Sequence, residues 1–254
     1  MSFIDYNVND KVAKITLNRP DKLNAINRAM REELFRVFAD FAARGDAWVA
    51  VITGTGRAFS VGHDLEEMGG PSGDEAPGTS IEDLYVMQTR IWKPIIAAIN
   101  GFCLAQGGGI ALASDIRIAA DTAQFGWPQA KRGISSISGP SMLANRIPLN
   151  YALEFLLTGA FISAEEAHRL HLVNKVVPLD ALAATVDEYA QTIAQNAPLA
   201  TRGMKEASVR GQNLDLEERV NLASLLFERV RGSADAAEGL QAFVEKREPV
   251  FKGE

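Results

Sequence analysis

From Asn100 to Asp115 the chain reads NGFCLAQGGGIALASD, an apolar run broken by three consecutive glycines and resumed by helix-favouring residues. The pattern predicts a turn out of buried chain into a helix, where glycines let backbone N–H groups point into open space at the helix start. A terminus built this way can stabilise an oxygen that becomes negative. No carboxylate follows among Ile110 to Ser114, so the first turns of that helix bring no acid to the same place.

The remaining chain alternates strand and helix signals. Phe3 to Val8 and Val12 to Leu17 alternate apolar and polar residues about Asn9-Asp10, as a β-hairpin does. After the turn Asn18-Arg19-Pro20-Asp21, residues Met30, Leu34, Val37, Phe38 and Phe41 recur at helical spacing up to Gly45. Val49 to Ile52 and Ile95 to Ile99 are apolar on both sides and predict strands buried on both faces. Further strands are expected at Ile116 to Ala119, Gln124 to Phe125 and Val173 to Val177. Helices are expected over Ser80 to Trp92, with Ser80 as N-cap and Asp83 three residues on, and around Pro140 to Asn145, Tyr151 to Leu157 and Ala164 to Leu170. GGPSGDEAPGT, Gly69 to Thr79, reads as a mobile surface loop.

Repeated strand–loop–helix units point to an α/β core wound in turns. Beyond Leu179 no strand is evident, and Leu214, Val220, Leu222, Leu225, Leu226 and Val230 suggest helices with more apolar residues than one chain's surface needs. The expected division is an α/β core over 1–195 and a C-terminal helical oligomerisation region over 196–254.

Several classes of function are excluded. With 254 residues, 47% of them apolar, the chain can bury a sizeable core, and its net charge of -6 leaves no electrostatic footprint for nucleic acid. MSFIDYNVND has no signal-peptide pattern and no apolar run is long enough to span a bilayer, so cytoplasmic residence without a membrane partner is expected. The lone Cys103, inside an apolar run, allows neither an internal disulfide nor a CxxC metal site. His168 and His171 lack a third ligand of suitable spacing, so no metal is expected. GxSxG, GxxxxGK[ST] and HExxH are absent, and GGG lacks the GxGxxG spacing of a dinucleotide loop.

Five colinear segments, ITLNRPDKLNAI (15–26), GRAFSVGHDLEEM (56–68), INGFCLAQGGGIALASDIRIA (99–119), TGAFISAEEAHRLHLVNKVV (158–177) and AFVEKREPVFK (242–252), together resemble the crotonase, or enoyl-CoA hydratase/isomerase, family. The resemblance implies a crotonase-like spiral of ββα turns with a C-terminal helical trimerisation region, assembled as a homotrimer or homohexamer. It implies an acyl-CoA thioester as partner, most simply an enoyl-CoA, with no cofactor beyond the coenzyme A of the substrate. Family members hold the thioester carbonyl between two backbone N–H groups that stabilise an enolate-like or tetrahedral oxyanion. The matching positions are His63 and Gln106, the glycine triplet falling two positions later than is usual. Around His63, Gly62 permits an unusual backbone angle and Asp64 can cap the short helix that follows. Lys22, Leu23 and Ala25 match the segment along the adenine and pantetheine path. Phe227 and Lys246 match C-terminal positions that reach CoA, often across a subunit boundary.

The departures from the family concern proton transfer. Hydration of an enoyl-CoA uses two glutamates, and here those positions fall on Gly109 and Gln129, neither of which can take a proton from water. Substitutes are sought in the His63 side chain, in Glu66 and Glu67, and in Ser135, Ser136 and Ser138. Three readings stay open: an acyl-CoA enzyme with a non-standard acid/base set, a catalytically depleted acyl-CoA binding protein, and a member with another reaction such as thioester hydrolysis or carbon–carbon cleavage. The acyl tail is expected to lie against Gly69 to Thr79 and the helix from Ser80 to Trp92.

Overall fold

The computed structural model describes residues 2–68 and 80–254, so the loop expected over Gly69 to Thr79 lies outside the described residues. Strands β1 (Ile4–Asn9) and β2 (Val12–Leu17) form the expected hairpin, and its two-residue loop is Asp10-Lys11, both in the left-handed region at φ 47° and 67°. The other strands are β3 (Val49–Gly54), β4 (Ala58–Ser60), β5 (Ile95–Ile99), β6 (Phe102–Leu104), β7 (Ile116–Ala120), β8 (Gln124–Gly126), β9 (Phe161–Ser163) and β10 (Lys175–Val177). The helices are α1 (Arg28–Ala43), α2 (Leu65–Met68), α3 (Ile81–Thr89), α4 (Ala105–Ala113), α5 (Ser138–Ser141), α6 (Leu149–Thr158), α7 (Ala164–Arg169), α8 (Leu182–Gln195), α9 (Pro198–Arg210), α10 (Leu216–Arg231) and α11 (Ala234–Glu245).

Two sheets organise the core. The larger has the order β1-β2-β3-β5-β7-β10 and is parallel apart from the hairpin; the smaller has the order β4-β6-β8-β9. Each long strand β3, β5 and β7 is followed by a short strand of the second sheet and then by helix, which is the ββα turn of the spiral. β3 and β5 are apolar throughout because both faces of the larger sheet are covered. Ile15, Ala50, Ile52, Ile95, Ala97 and Ile99 face the main core. Val49, Val51, Ile96, Ala98 and Ile118, on the alternate positions, meet Leu182, Val186, Ala190 and Ala194 of α8. Periodicity anticipates the long strands and misses β4, β6 and β9, three residues each, which are too short to display a period.

The glycine triplet corrects the sequence reading. The helix does not start with it: α4 begins at Ala105, which itself takes the left-handed turn at φ 52°, and Gly107, Gly108 and Gly109 lie buried within the helix. They are needed for close packing. A Cβ at Gly107 would fall 2.5 Å from the Ser60 carbonyl oxygen, at Gly108 2.8 Å from the Trp127 ring, and at Gly109 2.3 Å from Cζ of Tyr85.

α3 is shorter than expected, ending at Thr89, and starts with a capping box in which Ser80 and Asp83 satisfy each other's backbone N–H. Beyond α8, Lys205 of α9 donates to Asp115 at 2.6 Å and to the Lys93 carbonyl at 2.9 Å, tying the C-terminal helices to the core. Glu206 of α9 accepts from Arg210 and from Arg229 of α10. The far side of α10 and α11 leaves Leu225, Phe227, Leu240, Phe243 and Val244 largely exposed. Among the described residues no helix is long and apolar enough to cross a membrane, and no cluster of His, Cys, Asp or Glu is placed to hold a metal ion.

Close packing gives a test. Replacing a helical glycine by alanine favours the helix by about 1 kcal/mol, whereas at Gly107 the new methyl meets backbone that cannot step aside. Overpacking of this kind costs about 1–3 kcal/mol or more. Gly107→Ala should therefore lower Tm by several degrees, while Gly45→Ala, where a Cβ meets nothing within 4 Å, should leave it nearly unchanged in the same calorimetric scan.

Candidate active site

Two turns meet at the mouth of the spiral. After β4 the chain turns at Gly62 with φ 93°, and after β6 it turns at Ala105. A Cβ at Gly62 would lie 2.8 Å from Cβ of Ala105 and 2.9 Å from the Gln106 nitrogen, so only glycine lets the turns touch. Ser60 Oγ accepts the Gly62 N–H at 3.1 Å and donates to the Asn24 carbonyl at 2.7 Å. The Ile26 N–H donates to the Gly62 carbonyl and the Asp64 N–H to the Ile26 carbonyl, which anchors the backbone on either side of His63. The His63 N–H is left without an acceptor among the described residues. So is the Gln106 N–H, in the first turn of α4, where a helix leaves its donors unsatisfied.

Asp64 holds the first turn in place. Its carboxylate accepts the Glu66 N–H at 3.1 Å, the expected cap of α2, and accepts from the Arg19 guanidinium at 2.5 Å. Burial pushes the Asp64 carboxyl up, and Arg19 with the Glu66 N–H more than reverses this, leaving it below its usual value and ionised.

A cavity of about 460 Å³ opens beside these turns. Its wall gathers five of the residues singled out in the sequence: His63, Gln106, Gln129, Leu23 and Ala25. His63 Nδ1 and Gln106 Oε1 are 3.1 Å apart; with Nδ1–H as the donor, the ring's Nε2 carries the lone pair. Gln129 donates through Nε2 to Ser136 Oγ at 3.3 Å, and its Oε1 is buried with no donor among the described residues. Ser135, Ser136 and Ser138 also line the cavity.

Four expected positions lie outside this wall. Gly109 is behind it, because the Tyr85 ring occupies the space into which a side chain at 109 would extend. Burial pushes the Tyr85 phenol far above its usual value, so it stays protonated and donates to the Gln106 carbonyl at 3.1 Å. Lys22 is exposed and paired with Glu66 at 2.6 Å. Phe227, 62% exposed on α10, and Lys246, at the end of α11, are absent from the cavity of this single chain.

Two of the candidate acid/base groups are also diverted. Glu66 is held by Lys22, and Glu67 accepts the Arg28 N–H at 2.8 Å. Among the described residues no Asp or Glu lines the cavity. Sequence reasoning missed Tyr85, Trp127, Arg132 and Phe161. Tyr85 read only as part of a helix, and no local pattern reports that it faces Gly109.

The Tyr85–Gly109 contact yields a prediction. Gly109→Glu alone should lower Tm strongly, since its side chain and the phenol claim one volume. Adding Tyr85→Ala should recover part of the loss in thermal denaturation; full stability of the single variant would contradict this packing.

The sequence model described as enoyl-CoA hydratase/isomerase matches residues 7–254. The chain is 39% identical over 250 residues to the (E)-benzylidenesuccinyl-CoA hydratase of Thauera aromatica, covering 97% of each chain. It is 38% identical to the carnitinyl-CoA dehydratase of Citrobacter koseri, over 95% of each. The crystal structure of an enoyl-CoA hydratase from Bacillus anthracis superposes with a TM-score of 0.95 at 36% identity, covering 100% of both chains. Sequence and fold agree over the whole length, and the chain belongs to the enoyl-CoA hydratase/isomerase, or crotonase, family of acyl-CoA enzymes.

Proposed function

We propose that the N–H groups of His63 and Gln106 grip the thioester carbonyl of an enoyl-CoA and stabilise the enolate formed when its β-carbon is attacked. The observation that carries this reading is the pair of donors without acceptors among the described residues, on two touching turns beside one cavity. Two such donors contribute a few kcal/mol to a transition state in which charge gathers on that oxygen. With both glutamate positions replaced, proton exchange falls to the His63 imidazole. Its Nε2 accepts a proton from the attacking water and returns it to the α-carbon, while Gln106 Oε1 holds Nδ1. Gln129 orients and does not exchange protons.

The CoA arm runs past Leu23 and Ala25 on the wall, with Lys22 exchanging Glu66 for a phosphate. Phe227 and Lys246 reach CoA only from a neighbouring subunit. Assembly as a homotrimer or homohexamer is supported by the exposed Leu225, Phe227, Leu240, Phe243 and Val244. Coenzyme A enters with the substrate, and no separate cofactor is invoked. Arg132, a cation in the wall without a partner among the described residues, suits an acyl group bearing a carboxylate, as in the compound that names the Thauera relative. The second reading, an acyl-CoA binding protein without turnover, is favoured by the absence of Asp and Glu from the described wall.

Incubation with crotonyl-CoA and with branched, aromatic, carboxylate-bearing and β-hydroxyacyl-CoAs, followed by mass spectrometry, separates these readings. Turnover is expected, and His63→Ala, which keeps the N–H, should lower kcat by about 10²–10⁴-fold; Gln129→Glu should add hydration of crotonyl-CoA. Binding without turnover of any thioester would establish the binding protein, and failure to bind CoA esters would sink both readings.

Sedimentation gives the assembly. The wild-type chain should run as a trimer or hexamer and Phe243→Asp with Val244→Asp as a smaller species; a monomeric wild type would remove the subunit contribution to the CoA site.

A further inference from the structure

Gln106 can serve as an oxyanion donor only if its peptide plane is held, and that plane is in an unfavourable place. The N–H of Gln106 and the carbonyl of Ala105 belong to one planar unit, and Ala105 sits at φ 52°, a region that an alanine enters only under constraint. Ser138, only 2% exposed, places Oγ 3.1 Å from the Ala105 carbonyl oxygen. Trp127, 1% exposed, places Nε1 3.1 Å from Ser138 Oγ.

The direction of this chain follows from the groups themselves. An indole nitrogen only donates, so Trp127 gives its hydrogen to Ser138; Ser138 Oγ donates to the Ala105 carbonyl, and the Tyr85 hydroxyl, its other hydrogen-bond neighbour, is turned to the Gln106 carbonyl. On the other side of Gln106, the Tyr85 hydroxyl donates to the Gln106 carbonyl at 3.1 Å. Both peptide planes flanking Gln106 are therefore tied by side chains. The glycines of α4 admit two of those side chains, Trp127 over Gly108 and Tyr85 over Gly109.

We infer that Ser138, backed by Trp127, is a positioning residue that orients the Ala105–Gln106 peptide and strengthens its N–H as a donor to the thioester oxygen. A hydrogen bond received by an amide carbonyl draws electron density from the nitrogen, and successive hydrogen bonds reinforce one another in a buried setting. The gain is greatest when the oxygen carries negative charge, so the relay acts on the transition state more than on bound substrate. The inference rests on the oxyanion reading of Gln106 given above.

The test reads the carbonyl directly. Full-length protein is loaded with butanoyl-CoA labelled with carbon-13 at the thioester carbon, and the C=O stretch of the bound ester is recorded by isotope-edited infrared spectroscopy. Wild type should show the stretch at lower wavenumber than the ester in water. Ser138→Ala should return part of that shift and lower kcat about 3–10-fold with KM within about twofold, the size expected for weakening and not removing one donor. Ser138→Ala strands the Trp127 N–H, so Ser138→Ala with Trp127→Phe, which removes both partners, serves as the second variant and should show the same loss of shift and kcat, with a lower Tm because phenylalanine leaves part of the buried indole volume empty. Ser138→Thr, which restores the hydroxyl, should recover the shift. A double variant that folds and keeps the wild-type carbonyl shift and kcat would overturn the relay. A wild-type complex with no shift would overturn the oxyanion reading first, and the relay with it.

Discussion

The backbone of α4 approaches its surroundings more closely than a side chain permits. Gly107 lies against the Ser60 carbonyl, Gly108 against Trp127 and Gly109 against Tyr85. Each missing Cβ sets a distance between elements: Gly107 sets that between α4 and β4, while the other two open room for a large ring. Because α4 lies this close to β4, the turn after β4 at Gly62 and the turn after β6 at Ala105 meet. The N–H groups of His63 and Gln106, without acceptors among the described residues, arise at that meeting. An added methyl at Gly107 would act on the site through the spacing of α4 and β4.

The two-sheet architecture explains why the site lies here. The long strands β3, β5 and β7 are covered on both faces, so they leave no surface for a ligand. The short strands β4, β6 and β8 end in turns at one edge of the core, and the cavity opens among those turns. Asp64 with Arg19 on one side and Ser138 with Trp127 on the other fix the loops, so the donors are held before any ligand arrives. Preorganised donors of this kind need no rearrangement when charge develops.

The two positions at which the resemblance expects glutamates differ in their packing. At 109 the volume that a carboxylate would fill belongs to Tyr85, and the phenol is bound to the Gln106 carbonyl. A glutamate at 109 therefore requires removal of the ring. At 129 the side chain is on the cavity wall, so a glutamate there is a single substitution. The two positions, alike in a sequence comparison, are unlike in what surrounds them.

Local patterns in the sequence determined the order of long elements, the hairpin, the Ser80 cap, the unusual backbone angle at Gly62 and, through five colinear segments, the family. Each of these is encoded within a few residues or by simple periodicity. Tertiary structure alone decided the meaning of the glycine triplet, which reads as a helix start and is a packing surface inside one. It also decided that Lys22 holds Glu66, that Glu67 caps α1 through the Arg28 N–H, and that Tyr85 stands in front of Gly109. These facts rest on contacts between residues far apart in the chain, 21 positions for Tyr85 with Gln106 and 33 for Ser138 with Ala105. A sequence specifies such contacts only through the whole packed core, so the residues that place the donors carry no local signature of doing so.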